Sequence, residues 1–275
     1  MTLTPSSPRV IGIVNATPDS FSDGDRFFDA QSAVAHAHRL IAQGADVLDI
    51  GGESTRPGAQ PVDADEEIAR VLPVIEALVR EGATPLSIDT MKPAVARAAV
   101  GAGAVMWNDV TALTYAPDSL ETAVELGCEV VLMHLQGDPR TMQANPTYGD
   151  VVTEVIGYLA ARAEAAMAAG VRRERIWLDP GIGFGKTLAH NLALLANLDR
   201  LVALGFPVML GVSRKGFIRR LDASAEDPGD RLGGSLAAAL AGADAGVAAV
   251  RVHDVRQTVQ ALAVRAAIGQ GRGHG

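Results

Sequence analysis

The chain has 275 residues, 48% of them apolar and only 4% aromatic, so its core has to be built from Ala, Val, Leu and Ile, as in parallel strands buried under helices. A formal charge of -8 at pH 7, with no Lys/Arg stripe to override it, repels a polyphosphate backbone and excludes nucleic acid as the expected partner. The single Cys128 excludes an internal disulfide and a cysteine zinc site and fits a reducing, cytoplasmic setting, while the lack of an apolar leader or of about 18 consecutive apolar residues argues against export and membrane spanning.

Short β-branched or apolar runs alternate with longer Ala-rich amphipathic stretches from one end to the other, the pattern of βα units on a parallel sheet. The first strand is predicted at residues 10–14 and is followed by Asn15; the second, at 47–50, runs into Gly51. The third, at 86–88, meets Asp89, and the fourth, at 105–107, meets Asn108. The fifth covers 130–133 and ends on Met133 and His134; the sixth, 176–178, precedes Asp179. The seventh, 208–210, leads to Ser213 and Lys215, and the eighth, 247–252, carries Arg251 and precedes His253. Gly44, Gly103, Gly127, Gly170, Gly205 and Gly242 each fall where a helix should stop before the next strand.

Eight such units, and a length close to the roughly 250 residues usual for the fold, predict a (β/α)8 TIM barrel. It forms a single domain over residues 1–275, with 1–8 and 270–275 as frayed ends. An open doubly wound sheet is the rival architecture. Closure explains the chain better, because no dinucleotide fingerprint follows the first strand and every strand, not only those at one crevice, ends in polar or glycine residues.

A lone Asp or Asn after a strand is ordinarily an N-cap for the next helix. Carboxylates, amides, a lysine, arginines and histidines converging on one rim ask for a different account, since a cap requires no particular neighbours. Two long loops add to them. Residues 15–24 place an exposed Phe21 among turn residues, and residues 51–58 set Arg56 between glycines. Both read as mobile lids, against the plainer alternative of ordinary surface loops. The glycine-rich run 178–186 lacks the spacing and terminal Lys-Ser/Thr of a P-loop. The run 211–215 opens a helix and suits an anion.

These motifs, in their order and over nearly the whole chain, resemble those of the dihydropteroate synthases among the pterin-binding enzymes: residues 15–24, 53–58, 87–90, 108–109, 178–184, 213–215 and 251–253. The resemblance implies condensation of 6-hydroxymethyl-7,8-dihydropterin diphosphate with para-aminobenzoate, giving 7,8-dihydropteroate and diphosphate. It assigns the pterin to Asp89, Asn108, Met133, Asp179 and Lys215, whose carboxylates and amide suit the donor and acceptor edge of an aminopyrimidine. It assigns the diphosphate to Asn15, Thr55, Arg56, Arg251 and His253, with Asn15 holding a magnesium ion on it, and para-aminobenzoate to Phe21, Pro57, Phe184, Ser213 and Lys215. Asn15, Arg56, Asp89, Asp179, Lys215, Arg251 and His253 are then the catalytic set. The partners implied are these small molecules, a sulfonamide inhibitor and a second copy of the chain in a homodimer.

Two positions depart from the family pattern. Asp25 replaces a glycine in the first loop, and Trp107 stands where a smaller aliphatic residue is usual, which questions the packing beside Asn108. A pterin-dependent methyltransferase domain is an alternative reading, but it requires neither Arg56 nor Lys215. A non-catalytic pterin-binding paralogue is another, and the intact diphosphate residues count against it.

Overall fold

Eight stretches of buried β-branched and aliphatic residues form eight parallel strands in the computed structural model, which describes residues 7–16, 26–54, 61–82, 84–137 and 141–271, with backbone alone for 26–29. The strands are β1 (Arg9–Asn15), β2 (Val47–Gly51), β3 (Leu86–Asp89), β4 (Met106–Asp109), β5 (Glu129–Met133), β6 (Ile176–Asp179), β7 (Met209–Gly211) and β8 (Ala249–Val252). The helices are α1 (Arg26–Ala42), α2 (Ala64–Arg80), α3 (Pro93–Gly101), α4 (Ser119–Leu126), α5 (Val151–Ala169), α6 (Leu188–Ala196), α7 (Leu198–Val202), α8 (Gly216–Leu221), α9 (Leu232–Ala245) and α10 (Val255–Gly271).

Hydrogen bonding runs β6-β5-β4-β3-β2-β1-β8-β7, and a parallel bridge between Leu178 and Val208 joins β6 to the approach to β7. The expected barrel is therefore closed, by a contact shorter than a regular strand pair. Each predicted strand is present, but most reach one residue further toward the carboxyl end. Asn15, Gly51, Asp89, Asn108 and Asp179 belong to strands rather than to loops. Val105, expected as a strand start, is half-exposed before β4, and Val247 closes the turn after α9 instead of opening β8.

Helices cover the barrel by conventional means. On α2, Val71, Val74, Ile75 and Leu78 recur at the spacing of one buried face, and the Asp63 carboxylate caps the helix by accepting from Glu66 N–H at 2.8 Å. Helix α5 starts on the Asp150 cap and stops at left-handed Gly170. Five of the six predicted stop glycines have positive φ; Gly242 does not, and Gly246 (φ 88°) ends α9 instead. Gly242 lies inside the helix because a Cβ there would collide with Leu210 of β7, so the glycine serves close helix–strand approach. Two crossovers are split, α6 from α7 at Asn197 and α8 from α9, and α10 stays helical through Gly271, past the expected start of fraying. No described helix is long and apolar enough to cross a membrane.

Candidate active site

Side chains alternate faces along a strand, so the barrel interior is built in layers two residues apart. One inner layer, toward the amino ends, is apolar: Ile11, Val47, Met106, Val131, Trp177, Met209 and Ala249. Two residues on, the same inward parity reaches Asp49, Asn108, Met133, Asp179, Gly211 and Arg251, with Asp89 contributed by β3. Sequence periodicity thus places the polar groups as a floor on top of a plug. Register agrees, pairing Gly51 with Asp89, Asp89 with Asn108, Met133 with Asp179, and Gly211 with Arg251.

Arg251 organises the floor. Its Nε donates to Asp49 Oδ2 at 2.5 Å and its Nη2 to Asp89 Oδ2 at 2.6 Å, while Asn108 Nδ2 donates to the same Asp49 oxygen at 3.0 Å. One guanidinium therefore ties β8 to β2 and β3, and Asp49 relays the tie to β4. Asp179 keeps Oδ1 on Gly181 N–H at 2.7 Å, which fixes the carboxylate plane, and its Oδ2 faces Gly211. Burial raises the Asp89 carboxyl to about 7 against the pull of Arg251, and the Asp49 carboxylate adds to the rise. Burial also raises Asp179, with the Gly181 N–H, Lys215 and Arg251 opposing.

Above the floor opens a cavity of about 720 Å³, bordered by Asn15, Asp89, Phe184, Ser213, Lys215, Arg251 and His253. Asn15 stands exposed at the end of β1. Lys215 Nζ lies 4.2 Å from the Phe184 ring centroid, a cation–π contact that fixes two predicted residues on one wall. His253 N–H donates to Ser213 Oγ at 3.1 Å, and its Nδ1 is 3.0 Å from the same oxygen. Asn108, Met133 and Asp179 are buried just beneath, and Met133 packs under the turn at Gly181. Phe21, Thr55, Arg56 and Pro57, like Asp25, lie outside the described residues. Trp107 turns away from the site. Its ring is fully buried among the helices and its Nε1 donates to Thr90 O at 2.7 Å, so the larger side chain does not press on Asn108's pocket.

The wall carrying Phe184 is held from several sides. Asn191 Oδ1 accepts from Gly183 N–H at 2.7 Å, Gln143 donates to Gly183 O, and Tyr148 Oη donates to Gly185 O at 2.8 Å. Gly181 has φ 65°, and a Cβ there would overlap His134 O, so only glycine lets the two loops meet.

Three groups escaped the sequence reading. Asp49 is one; a carboxylate inside the apolar run 47–50 was the available signal, since a charge there needs a partner. A second is Lys92, whose ammonium lies 2.7 Å from Glu53 and 2.5 Å from the wholly buried Glu67. Glu53 Oε1 also accepts from Val62 N–H at 2.9 Å, joining both flanks of the second long loop. The third is Lys186, almost fully buried, donating to Phe184 O at 2.9 Å and 3.0 Å from His134 Nδ1. Burial lowers its ammonium to about 7, and Asp179 opposes that fall.

Comparison with known proteins agrees with this geometry. Residues 11–253 match the model of the family described as pterin binding enzyme. A dihydropteroate synthase of Neisseria meningitidis serogroup B is 49% identical over 272 residues, covering 95% of this chain and 93% of the relative. Two solved structures of the Xanthomonas albilineans dihydropteroate synthase, with 4-aminobenzoic acid and with 7,8-dihydropteroate, are 52% and 50% identical, each covering 97% of this chain and 95% of that one. Their TM-scores are 0.90 and 0.86. The Yersinia pestis dihydropteroate synthase, solved with a sulfonamide drug, is 44% identical with a TM-score of 0.90, covering 98% of this chain and 97% of that one. The chain belongs to the dihydropteroate synthases, within the pterin-binding enzymes.

Proposed function

We propose that this chain is a transferase of folate biosynthesis that condenses 6-hydroxymethyl-7,8-dihydropterin diphosphate with para-aminobenzoate, giving 7,8-dihydropteroate and diphosphate. The observation that carries the reading is the Arg251 junction: a fixed cation on two floor carboxylates, Asp49 and Asp89, at a mouth that also holds Lys215 and His253.

In this reaction the methylene–oxygen bond breaks with its electron pair going to diphosphate, the arylamine nitrogen bonds to the methylene carbon, and a proton leaves that nitrogen. Positive charge spreads into the pterin as the bond breaks, and negative charge grows on the departing oxygens. Asp89 and Asp179 accept from the pterin's N–H groups and stabilise that positive charge, Asn108 supplies donor and acceptor together, and Met133 backs the ring. Asp49 is a positioning residue that sets Arg251 and Asn108 in place. Arg251 and His253 take the diphosphate, joined by Thr55 and Arg56 on the family pattern. Lys215, which also donates to the pterin ring, and Phe184 form the wall for para-aminobenzoate and Ser213 receives its carboxylate, with Phe21 and Pro57 assigned to that substrate on the family pattern. No nucleophilic side chain is required.

A magnesium ion fits this donor set in one specific way. No group of three His, Cys, Asp or Glu residues forms a cage among the described residues, and Asn15 offers one neutral oxygen at the cavity rim. That suits an ion held by one protein ligand and substrate oxygens, where it would neutralise charge on the diphosphate. The working form is read as a cytoplasmic homodimer, which rests on the family resemblance.

The test is a coupled assay with both substrates and magnesium. Diphosphate release and dihydropteroate formation are expected only when para-aminobenzoate is present, with sulfonamides competing against it. No product at micromolar enzyme would refute the reading.

A further inference from the structure

Among the described residues three non-glycines have left-handed backbone, Ala112, Leu113 and Arg214. The first two lie in a buried turn whose groups are all answered locally: Asp109 accepts from Thr111 and Leu113 N–H, and Arg162 donates to Ala112 O and Leu113 O. Arg214 (φ 57°) differs in place. It stands between Ser213 and Lys215, two residues of the cavity wall.

Glycine would satisfy such a turn without strain, so an arginine there has to gain something from its side chain. Its guanidinium grips Asp254 with both prongs, Nε to Oδ2 at 3.0 Å and Nη2 to Oδ1 at 2.6 Å. Asp254 directly follows His253. The backbone of Arg214 is pinned as well, its N–H donating to Ser235 Oγ at 2.8 Å and its carbonyl accepting from Arg231 Nη1 at 3.0 Å. The fork therefore joins the β7–α8 loop, which carries Ser213 and Lys215, to the β8–α10 loop, which carries His253. The Ser213–His253 hydrogen bond spans the same gap.

We propose that Arg214 and Asp254 are a positioning pair, which fixes the spacing between the para-aminobenzoate wall (Ser213, Lys215) and the diphosphate wall (His253, Arg251). The assignment rests on the reaction proposed above. A bidentate arginine–carboxylate contact fixes orientation as well as distance, and a bimolecular reaction between two bound substrates is sensitive to displacements of an ångström. Asp89, Asn108, Met133 and Asp179 sit on strands outside this tie and, of the residues assigned to the pterin, Lys215 alone is on it, so pterin affinity depends on the tie only weakly.

The test compares Arg214→Gly, Asp254→Asn and the double variant. Arg214→Gly keeps the left-handed turn and removes the fork; Asp254→Asn keeps the shape and removes the charge. Each single variant should lose about tenfold or more in kcat/KM for para-aminobenzoate, a loss in keeping with misplaced reactants. The double variant should be no worse than the weaker single within about twofold, because both changes cut one tie. Calorimetric affinity for the pterin should stay within about threefold throughout. Wild-type kcat/KM in Arg214→Gly, losses that multiply in the double variant, or a tenfold fall in pterin affinity would each overturn the pair's assignment. Should Arg214→Gly fail to fold, Arg214→Lys, which keeps charge but not the fork, makes the same comparison with Asp254→Asn. A wild-type enzyme that forms no product would instead refute the reaction, so the two failures are distinguishable.

Discussion

The two ends of the barrel interior come from the same strands at the same inward parity, yet they do opposite work. At the amino end Met106, Val131, Trp177 and Met209 form an apolar plug, with the Arg9 guanidinium stacked 4.6 Å from the Trp177 ring centroid. At the carboxyl end, one step along the same strands, Asp49, Asp89, Asn108 and Asp179 crowd around Arg251. Removing charges from water is costly, and attraction within a cluster offsets that cost only when its geometry is good. The difference teaches that the apolar layer favours folding, while the layer above it holds groups whose burial does not. Neither layer is free of unpaired polar atoms, since Asp49 Oδ1 above and Trp177 Nε1 in the plug are both buried with no hydrogen-bond partner among the described residues.

The largest effect should come from the upper layer. Arg251→Met removes the cation shared by Asp49 and Asp89 and leaves both carboxylates buried without it. Loss of a preorganised charge at a site of this kind costs up to about 10³-fold in rate, equivalent to about 4 kcal/mol of transition-state stabilisation. We expect a loss of about that size in kcat/KM by steady-state kinetics, together with a lower denaturation midpoint. A variant keeping more than about a tenth of wild-type kcat/KM would break the contrast between the layers.

The lower layer should respond in stability alone. Met106 is almost fully buried, and Met106→Ala opens a cavity in the plug. The expected cost is about 3 kcal/mol in urea denaturation, with kcat/KM of the folded protein unchanged. A comparable fall in kcat/KM at full occupancy of the folded state would show that the plug sets the geometry above it.

Much of this arrangement is legible in the sequence because parallel strands buried on both faces announce themselves as apolar runs, and their polar ends point to one mouth. What stayed hidden depends on partners far along the chain. Asp49 reads as a stray charge until Arg251, 202 residues away, is brought against it. Lys92 looks like an ordinary residue before a helix, and its carboxylates at Glu53 and Glu67 come from another βα unit. Local rules also cannot choose between Gly242 and Gly246 as the stop of α9, since the approach of Leu210 decides it. The floor residues Asp89, Asn108 and Asp179 are readable for a simpler reason, each being the first charged or amide residue after a short, mostly apolar run.

Trp107 provides the smallest and most selective probe. It lies between Met106 of the plug and Asn108 of the floor, but opposite parity turns it outward, where it is wholly buried against the helices. Its one polar atom donates to Thr90 O at 2.7 Å, linking β4 to the end of β3. Trp107→Phe keeps an aromatic ring but leaves the buried Thr90 carbonyl without its donor, so the cost should be about 2 kcal/mol, within the range for a buried acceptor left unpaired. Chemical denaturation should register that shift while kcat/KM and pterin affinity stay at wild-type values. If pterin affinity fell instead, Trp107 would be acting on Asn108 through the strand backbone, and the separation of inward layers from the outward face would have to be abandoned at this position.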